Sequence, residues 1–267
     1  MIPQNKNYKE ARKIIAKINE NKSSYIIIWY AIADIDHIKR VISIIVQNLS
    51  GQTRSFSIFD QIGLLGDKFT GTISDYNKCE KNMLKEYFQY VNWHIENTIW
   101  LHWRMKLANY GFSALENRYK VLGGNPIVIS DNNKIDICDL FKYRYGENFV
   151  NRNKRIDKSS WRIKYLAEKN SIETAGFLEY TEEILAIKEK QYDKILTSLS
   201  RKTSIITQFL DLSYKNKLKT DAKWTEIHGY SIQGLYEVCK EKWWFNLILF
   251  IAGIIIGIIV DKYVEYF

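Results

Sequence analysis

Cysteine and proline are scarce in this chain. Its 267 residues include three cysteines and two prolines, and Cys79, Cys138 and Cys239 lie too far apart to form a CxxC pair. A disulfide framework or a cysteine-based zinc site is therefore not expected. The low proline count and only thirteen glycines also argue against a collagen-like chain and against many short strands joined by tight turns.

Sequence motifs of common enzyme classes are absent as well. The chain contains no GxxxxGK[ST], GxSxG or HExxH motif, and no GxGxxG after a strand. None of the four histidines has an arginine five to seven positions before it, so the arginine–histidine spacing of helical HEPN ribonucleases is missing. We therefore assign no catalytic residue, metal or cofactor, and the sequence favours a non-enzymatic protein over an enzyme.

The C-terminal part contains the longest uncharged apolar run. Residues 243–260 carry no charge, and Asn246 is their one strongly polar member. About 20 apolar helical residues cross the roughly 30 Å hydrocarbon core of a bilayer, and aromatic residues flank the run at both ends. The run therefore predicts a single-pass transmembrane helix, with a buried core helix as the alternative.

The distribution of lysines predicts the orientation and domain organisation. Lysines are frequent in 213–242 and rare in 261–267, which places the N-terminal part in the cytoplasm, and residues 1–22 are too polar for a signal peptide. We expect a cytoplasmic helical domain at 1–212, a basic linker with a juxtamembrane amphipathic helix at 213–242, and a short tail at 261–267. This is a tail-anchored protein with the lipid bilayer as partner.

Helical spacing of apolar residues predicts a mainly α fold. The expected architecture is a cytoplasmic helical bundle with one small β-hairpin and the C-terminal transmembrane helix. Helices are predicted at 8–20, 24–48, 75–120 and 171–212, and the hairpin near 127–138.

Two of these segments allow a second interpretation. The run Tyr25–Ile35 is too short to cross a bilayer and is followed by charged residues, so we expect a core helix, with a partly inserted segment as the alternative. In 171–212, apolar residues from Leu178 to Ile206 recur every seven positions. That spacing fits either a bundle helix or a self-associating coiled coil.

The basic surplus is concentrated in one segment. Residues 142–169 contain nine basic and three acidic residues, and their net charge of +6 is two thirds of the net charge of +9 of the whole chain. Aromatic residues are interleaved among them. Such a pattern suits anionic lipid or nucleic acid, and a solvated positive face is the alternative. The candidate binding residues are Arg144, Arg152, Lys154, Arg155, Lys158, Arg162 and Lys164.

Histidines and acidic residues provide two weaker signals. His94, His102 and Arg104 stand among tryptophans in one predicted helix and form a candidate polar pocket, unless they are satisfied inside a helix interface. The acidic residues from Asp131 to Asp139 are interpreted as a solvated turn.

A self-association motif lies in the predicted membrane helix. Gly253 and Gly257 form a GxxxG motif, and Asn246 could add an interhelical hydrogen bond. Together these features predict a homo-oligomeric membrane effector or scaffold, one version being an antiviral effector that perturbs the bilayer. The alternative function is a membrane-anchored helical nuclease or nucleotide-binding domain that uses the 142–169 segment.

Overall fold

A computed structural model describes residues 3–104, 110–150, 161–223, 225–228, 239 and 243–264. Within these ranges the chain forms a mixed α/β fold, in which helices cover both faces of a five-stranded sheet. The predicted mainly α bundle is therefore wrong, and the reason lies in the apolar run that begins at Tyr25.

The strands are β1 Tyr25–Ile35, β2 Ile38–Asn48, β3 Thr53–Ser57, β4 Ile99–His102 and β5 Lys134–Asp136. The helices are α1 Pro3–Glu20, α2 Ile58–Leu65, α3 Ile73–His94, α4 Phe112–Val121, α5 Ile137–Tyr145, α6 Trp161–Lys169, α7 Tyr180–Lys188, α8 Tyr192–Tyr214, α9 Thr225–His228 and α10 Trp243–Val264.

The sheet has the strand order β3-β2-β1-β4-β5. Strands β1, β2 and β3 form an antiparallel meander, whereas β4 pairs with β1 in parallel and β5 pairs with β4 in parallel. The carboxyl ends of β1, β4 and β5 therefore point toward the same edge of the sheet. In α/β proteins, ligands commonly bind at the edge formed by the carboxyl ends of parallel strands.

The segment predicted as a helix at 24–48 is the β1–β2 hairpin. Side chains of β1 alternate between two cores, with Ile27 and Trp29 on one face of the sheet and Ile28 and Tyr30 on the other. A strand buried on both faces is apolar at every position, so it lacks the alternation by which a half-buried strand is recognised. The two residues between the strands, at 36 and 37, adopt φ angles of 54° and 61°, as a tight hairpin turn requires.

Two hydrophobic cores hold the helices against the sheet. One core joins the sheet to α1, α5, α6 and α8 and includes Leu199 and Phe209, while the other joins it to α3 and α4 and includes Leu84 and Val91. All four of these side chains are fully buried. Burial of each of these side chains stabilises the folded state by roughly 1.5–3 kcal/mol. Because both cores include side chains of the central strands, both layers of helices depend on those strands.

A buried ionic cluster fixes α3 and α4 to the hairpin. The fully buried Glu80 of α3 accepts hydrogen bonds from the Val41 backbone N–H (2.8 Å), Arg40 Nη1 (3.2 Å) and Arg118 Nε (2.7 Å). A buried carboxylate is tolerated only when such donors replace water. These bonds orient α4, whose first turn borders the candidate site.

Three further predicted elements differ from the structure. The predicted helix 75–120 is interrupted by β4, and the predicted hairpin near 127–138 contains one strand, β5, which pairs with β4. The predicted helix 171–212 is divided into α7 and α8 at Lys190, whose φ is 59°. Leu185 of the seven-residue repeat is 54% exposed, so the repeat does not form one continuous packed stripe. The predicted helix at 8–20 is confirmed as the main part of α1.

The C-terminal helix α10 does not meet the requirements for a membrane span. Nowhere in the described ranges is a helix both long and apolar enough to cross a bilayer. This finding contradicts the predicted transmembrane helix at 243–260, the tail-anchored layout and the single-pass membrane localisation.

Candidate functional site

The strand order creates a switch point between β1 and β4. From β1 the chain proceeds outward to β2 and β3, and then returns on the other side of β1 to form β4 and β5. In open α/β sheets, ligands bind outside the carboxyl ends of the parallel strands at such a switch point. The candidate site is therefore sought beyond His102 and Asp136, the last residues of β4 and β5.

Asp136 joins the ends of these two parallel strands. Its Oδ1 accepts hydrogen bonds from the backbone N–H groups of Arg104 (3.1 Å) and Cys138 (2.9 Å), the latter in the first turn of α5. Aspartate is a preferred N-cap residue because its carboxylate satisfies N–H groups that have no partner within the helix. Burial raises the pKa of Asp136, the nearby Asp139 raises it further, and the backbone N–H donors oppose both effects. Asp136 is thus held as a structural cap.

A cavity of about 600 Å³ opens beside Asp136. It lies between α1, the first turns of α4, strand β5 and helix α5. The lining residues are Ile14, Phe112, Ser113, Glu116, Asp131, Lys134, Ile135, Asp136, Asp139, Leu140 and Tyr143. This volume lies within the range of about 300–1,000 Å³ that is usual for small-molecule pockets.

The lining of this cavity is acidic although the chain is basic. Four carboxylates line it, and Lys134 is its one cationic lining residue among the described residues. The Lys134 Nζ lies 3.0 Å from Asp131 and 5.5 Å from the centre of the Phe112 ring, while Asp139 pairs with Lys142 at 3.0 Å. The partly exposed Glu116 is not engaged in any such pair among the described residues. Carboxylates thus outnumber cationic groups in the described lining, an arrangement that suits a cationic ligand.

His102 lies behind the cavity in a cage of aromatic rings. Trp29, Tyr30, Tyr110 and Phe112 surround it with ring centres 5.2–6.5 Å away, and the Phe112 ring also forms part of the cavity wall. The imidazole is fully buried, and among the described residues neither of its nitrogens has a hydrogen-bond partner. Burial lowers the pKa of His102 to about 3, so the ring is neutral near pH 7.

Tyr30 positions the helix that borders the site. Its hydroxyl accepts a hydrogen bond from the Gly111 N–H at 2.6 Å, and its ring stacks on Tyr110 at 4.4 Å. Gly111 has a φ of 143°, a conformation that favours glycine, and it directly precedes α4. The first two turns of α4, with Phe112, Ser113 and Glu116, thereby line the same cavity as β5.

The predicted polar pocket is assembled only in part. His94 ends α3, where it stacks on Tyr90 and its Nδ1 lies 2.9 Å from the Tyr90 carbonyl oxygen. His102 stands at the opposite, carboxyl end of β4, and Arg104 follows it with a φ of 62°. The structure thus places His102 and Arg104 near the cavity and His94 at the other end of the strand. The ligand-binding role of these residues stays a prediction.

The described residues of the basic segment are engaged within the protein. Arg144 is buried, donates from Nη2 to Asn216 Oδ1 (2.6 Å) and lies over the Tyr8 ring, while Lys164 pairs with Glu179 at 2.9 Å. Arg162 lies over the ring of Trp161. Arg152, Lys154, Arg155 and Lys158 fall outside the described residues. The binding of anionic lipid or nucleic acid by this segment stays a prediction.

The predicted association motif lies on α10. Asn246 is exposed, and a Cβ atom added at Gly253 or Gly257 would meet no other atom within 4 Å. Helix association through these residues, and with it the homo-oligomer, stays a prediction. The predicted membrane-tethered effector and the membrane-anchored nuclease both depended on a transmembrane anchor, which the finding on α10 contradicts.

The sequence interpretation missed most of the cavity lining. The sequence pattern assigns the acidic residues from Asp131 to Asp139 to a solvated turn and Tyr143 to the interleaved aromatic residues of the 142–169 segment, and it gives no signal for Glu116. One signal was available, because Asp136 is the last residue of a short strand and caps the helix that follows. Residues in that position of a βα unit commonly border a binding site.

In the part of the chain that the structure describes, no group of three or more histidine, cysteine, aspartate or glutamate side chains could hold a metal ion. No protein-family model, curated protein or solved structure matches the chain. The functional conclusion therefore depends on the geometry of the site itself.

Proposed function

We propose that this chain is a small-molecule-binding α/β domain whose acidic cavity takes an organic cation. The observation that carries the proposal is the 600 Å³ cavity beside strand β5, lined by four carboxylates and two aromatic rings. Carboxylates pair with an ammonium group, and aromatic faces attract cations and pack on apolar ligand surface.

The division of roles within the lining supports binding over proton transfer. Asp136 accepts hydrogen bonds from backbone N–H groups and therefore maintains the end of β5. Glu116 on α4 and Asp139 on α5 line the cavity from two different helices and would receive the ligand cation. Phe112 and Tyr143 provide the adjacent ring surfaces for an aromatic or aliphatic body.

A pair of probes of similar shape and opposite charge tests this proposal. Tryptamine carries an ammonium group on an indole, and indole-3-propionate carries a carboxylate on the same ring system. We expect the full chain to bind tryptamine and to bind indole-3-propionate much more weakly, as measured by isothermal titration calorimetry at low salt. Equal affinity for the two probes, or no binding of tryptamine at millimolar concentration, would overturn the proposal.

Paired variants localise the binding to the cavity. The double variant Glu116→Gln, Asp139→Asn removes two of the lining charges, and each partly exposed charge pair contributes up to about 1 kcal/mol. We therefore expect roughly tenfold weaker tryptamine binding. Glu189→Gln, which removes an exposed charge at the end of α7, is the matched control and should leave the affinity unchanged. Unchanged binding in the double variant would place the amine elsewhere.

A further inference from the structure

A second cleft lies at the opposite edge of the sheet from the acidic cavity. It has a volume of about 540 Å³ and separates the edge strand β3 from the outward face of α8. Its lining residues are Ile45, Thr53, Ser55, Leu196, Thr197, Ser200, Arg201 and Ser204. The two clefts share no lining residue, so the second one is independent of the proposed organic-cation site.

The periodicities of a strand and a helix bring the polar groups of this cleft together. Thr53 and Ser55 are two positions apart and therefore project from the same face of β3. Thr197, Ser200 and Ser204 are three and four positions apart and share one face of α8. Five hydroxyl groups thus converge on one space, with Ile45 of β2 beneath them.

None of these five hydroxyls is committed to another part of the described protein. No hydrogen bond joins the side chains of Thr53, Ser55, Thr197, Ser200 or Ser204 to any other described residue. Each hydroxyl can donate one hydrogen bond and accept two. The cleft therefore presents an array of donors and acceptors to whatever occupies it.

Arg201 gives this cleft a positive charge. Its Nε donates to the Ala175 carbonyl oxygen at 2.9 Å, which holds the guanidinium at the rim. Its Nη1 lies 3.9 Å from Glu173, whose side chain is 72% exposed, so that contact is weak. No carboxylate belongs to the described lining, in contrast to the acidic cavity.

We infer that this cleft binds a phosphorylated polyol, such as a sugar phosphate. A guanidinium fork and hydroxyl donors match the oxygens of a phosphate group, and phosphate bonds to arginine are charge-assisted. The volume exceeds what one phosphate fills, and the hydroxyls that line the remainder suit the hydroxyl groups of a sugar. Arg201 and Ser204 hold the phosphate, while Thr53 and Ser55 face the polyol.

Ribose 5-phosphate, ribose and inorganic phosphate together test both halves of this inference. We expect the full chain to bind ribose 5-phosphate more tightly than either of the other two probes, as measured by calorimetry or by ligand-detected NMR. If inorganic phosphate binds as tightly as ribose 5-phosphate, the polyol part of the inference fails. If ribose binds as tightly, or if no probe binds at millimolar concentration, the phosphate site fails.

Variants of the cleft distinguish the site from general charge attraction. Arg201→Gln should weaken ribose 5-phosphate binding by roughly 10- to 100-fold, the usual loss for a charge-assisted hydrogen bond. Lys188→Gln removes a positive charge from the exposed end of α7 and should leave binding unchanged. Equal binding by wild type and Arg201→Gln would overturn the inference.

A third variant keeps the test decisive if Arg201→Gln fails to fold. Ser204→Leu leaves Arg201 in place and fills the cleft from a half-buried position on α8. Its thermal unfolding should resemble that of wild type, while ribose 5-phosphate binding is lost. Tryptamine binding should be unaffected by Ser204→Leu, which separates a failure at this cleft from a failure at the acidic cavity.

Discussion

A buried histidine lowers the stability of the folded state unless its ring nitrogens have hydrogen-bond partners, and His102 is such a residue. Its imidazole is fully buried among four aromatic rings, and neither nitrogen has a partner within the described residues. A buried polar group in this state typically costs about 1–3 kcal/mol. His102 should therefore control both the acid sensitivity of the fold and part of its stability at neutral pH.

The acid sensitivity has a defined direction and pH range. Burial lowers the pKa of His102 from 6.5 to about 3 in the folded protein. Between these values the unfolded chain takes up a proton that the folded chain does not. Stability should thus fall as the pH falls through this window, by up to about 1.4 kcal/mol per pH unit, and His102 should contribute no pH dependence above it. Urea unfolding at pH 7 and pH 5 measures the effect.

Replacement of His102 by phenylalanine isolates this contribution. His102→Phe removes both unpartnered nitrogens, so we expect about 1 kcal/mol more stability at pH 7 and a much smaller loss at pH 5. His37→Asn changes an exposed histidine in the β1–β2 turn and should leave the acid sensitivity intact. An unchanged pH dependence in His102→Phe would show that other groups cause it.

At the scale of an element, the end of α4 depends on close contact between Tyr119 and Gly124. The Gly124 N–H donates to the Tyr119 carbonyl oxygen at 2.9 Å, and a Cβ atom added at Gly124 would lie 2.2 Å from the Tyr119 ring. That ring stacks on Phe88 of α3 at 5.0 Å. Because the stacked ring has little room to shift, the helix end and the α3–α4 packing are linked.

Gly124→Ala should therefore be destabilising. Displacement of the Tyr119 ring from Phe88 is expected to lower the free energy of unfolding by about 1–3 kcal/mol, as measured by urea titration. Gly63→Ala is the matched control, because Gly63 lies in α2 with nothing within 4 Å of an added Cβ. That control should be neutral or more stable by up to about 1 kcal/mol. A Gly124→Ala protein as stable as wild type would contradict the described contact.

Elements also show where sequence patterns were sufficient. Helix α1 was predicted at 8–20 because its apolar residues follow a helical period on one face, and α1 packs that one face on the sheet. Strand β1 was predicted as a helix because both of its faces are buried, which removes the period of two. Its β-branched composition, with isoleucine at 26, 27 and 28, was the remaining signal.

At the scale of the whole molecule, β1 couples the two cores. Trp29 belongs to the core with α8, and Tyr30 to the core with α3. Adjacent residues of one strand cannot leave the sheet independently, since they share the same ladder of hydrogen bonds with β2. The domain should therefore unfold as one cooperative unit.

Cavity-forming substitutions in either core test this coupling. Phe209→Ala and Leu84→Ala should each destabilise the domain, by about 3–5 and 2–5 kcal/mol respectively. Either substitution should accelerate hydrogen exchange in β1 and in the helices of both layers, as followed by mass spectrometry. Leu64→Ala, at a side chain that is 79% exposed, is the control and should change neither layer. Acceleration confined to the mutated layer would show that the two cores unfold separately.

The sequence by itself determined that the chain folds around apolar segments, that α1 is an amphipathic helix, and that no common catalytic motif is present. These properties are local, since each depends on residues within a few turns of chain. Only the tertiary structure decided that Tyr25–Ile35 is a central strand and that β4 and β5 align beside it. It likewise brought Glu116 and Asp139 to one cavity, and Ser55 and Ser204 to another. The physical reason is that parallel strand pairing and cleft formation join residues far apart in sequence, and their choice depends on the burial of whole faces.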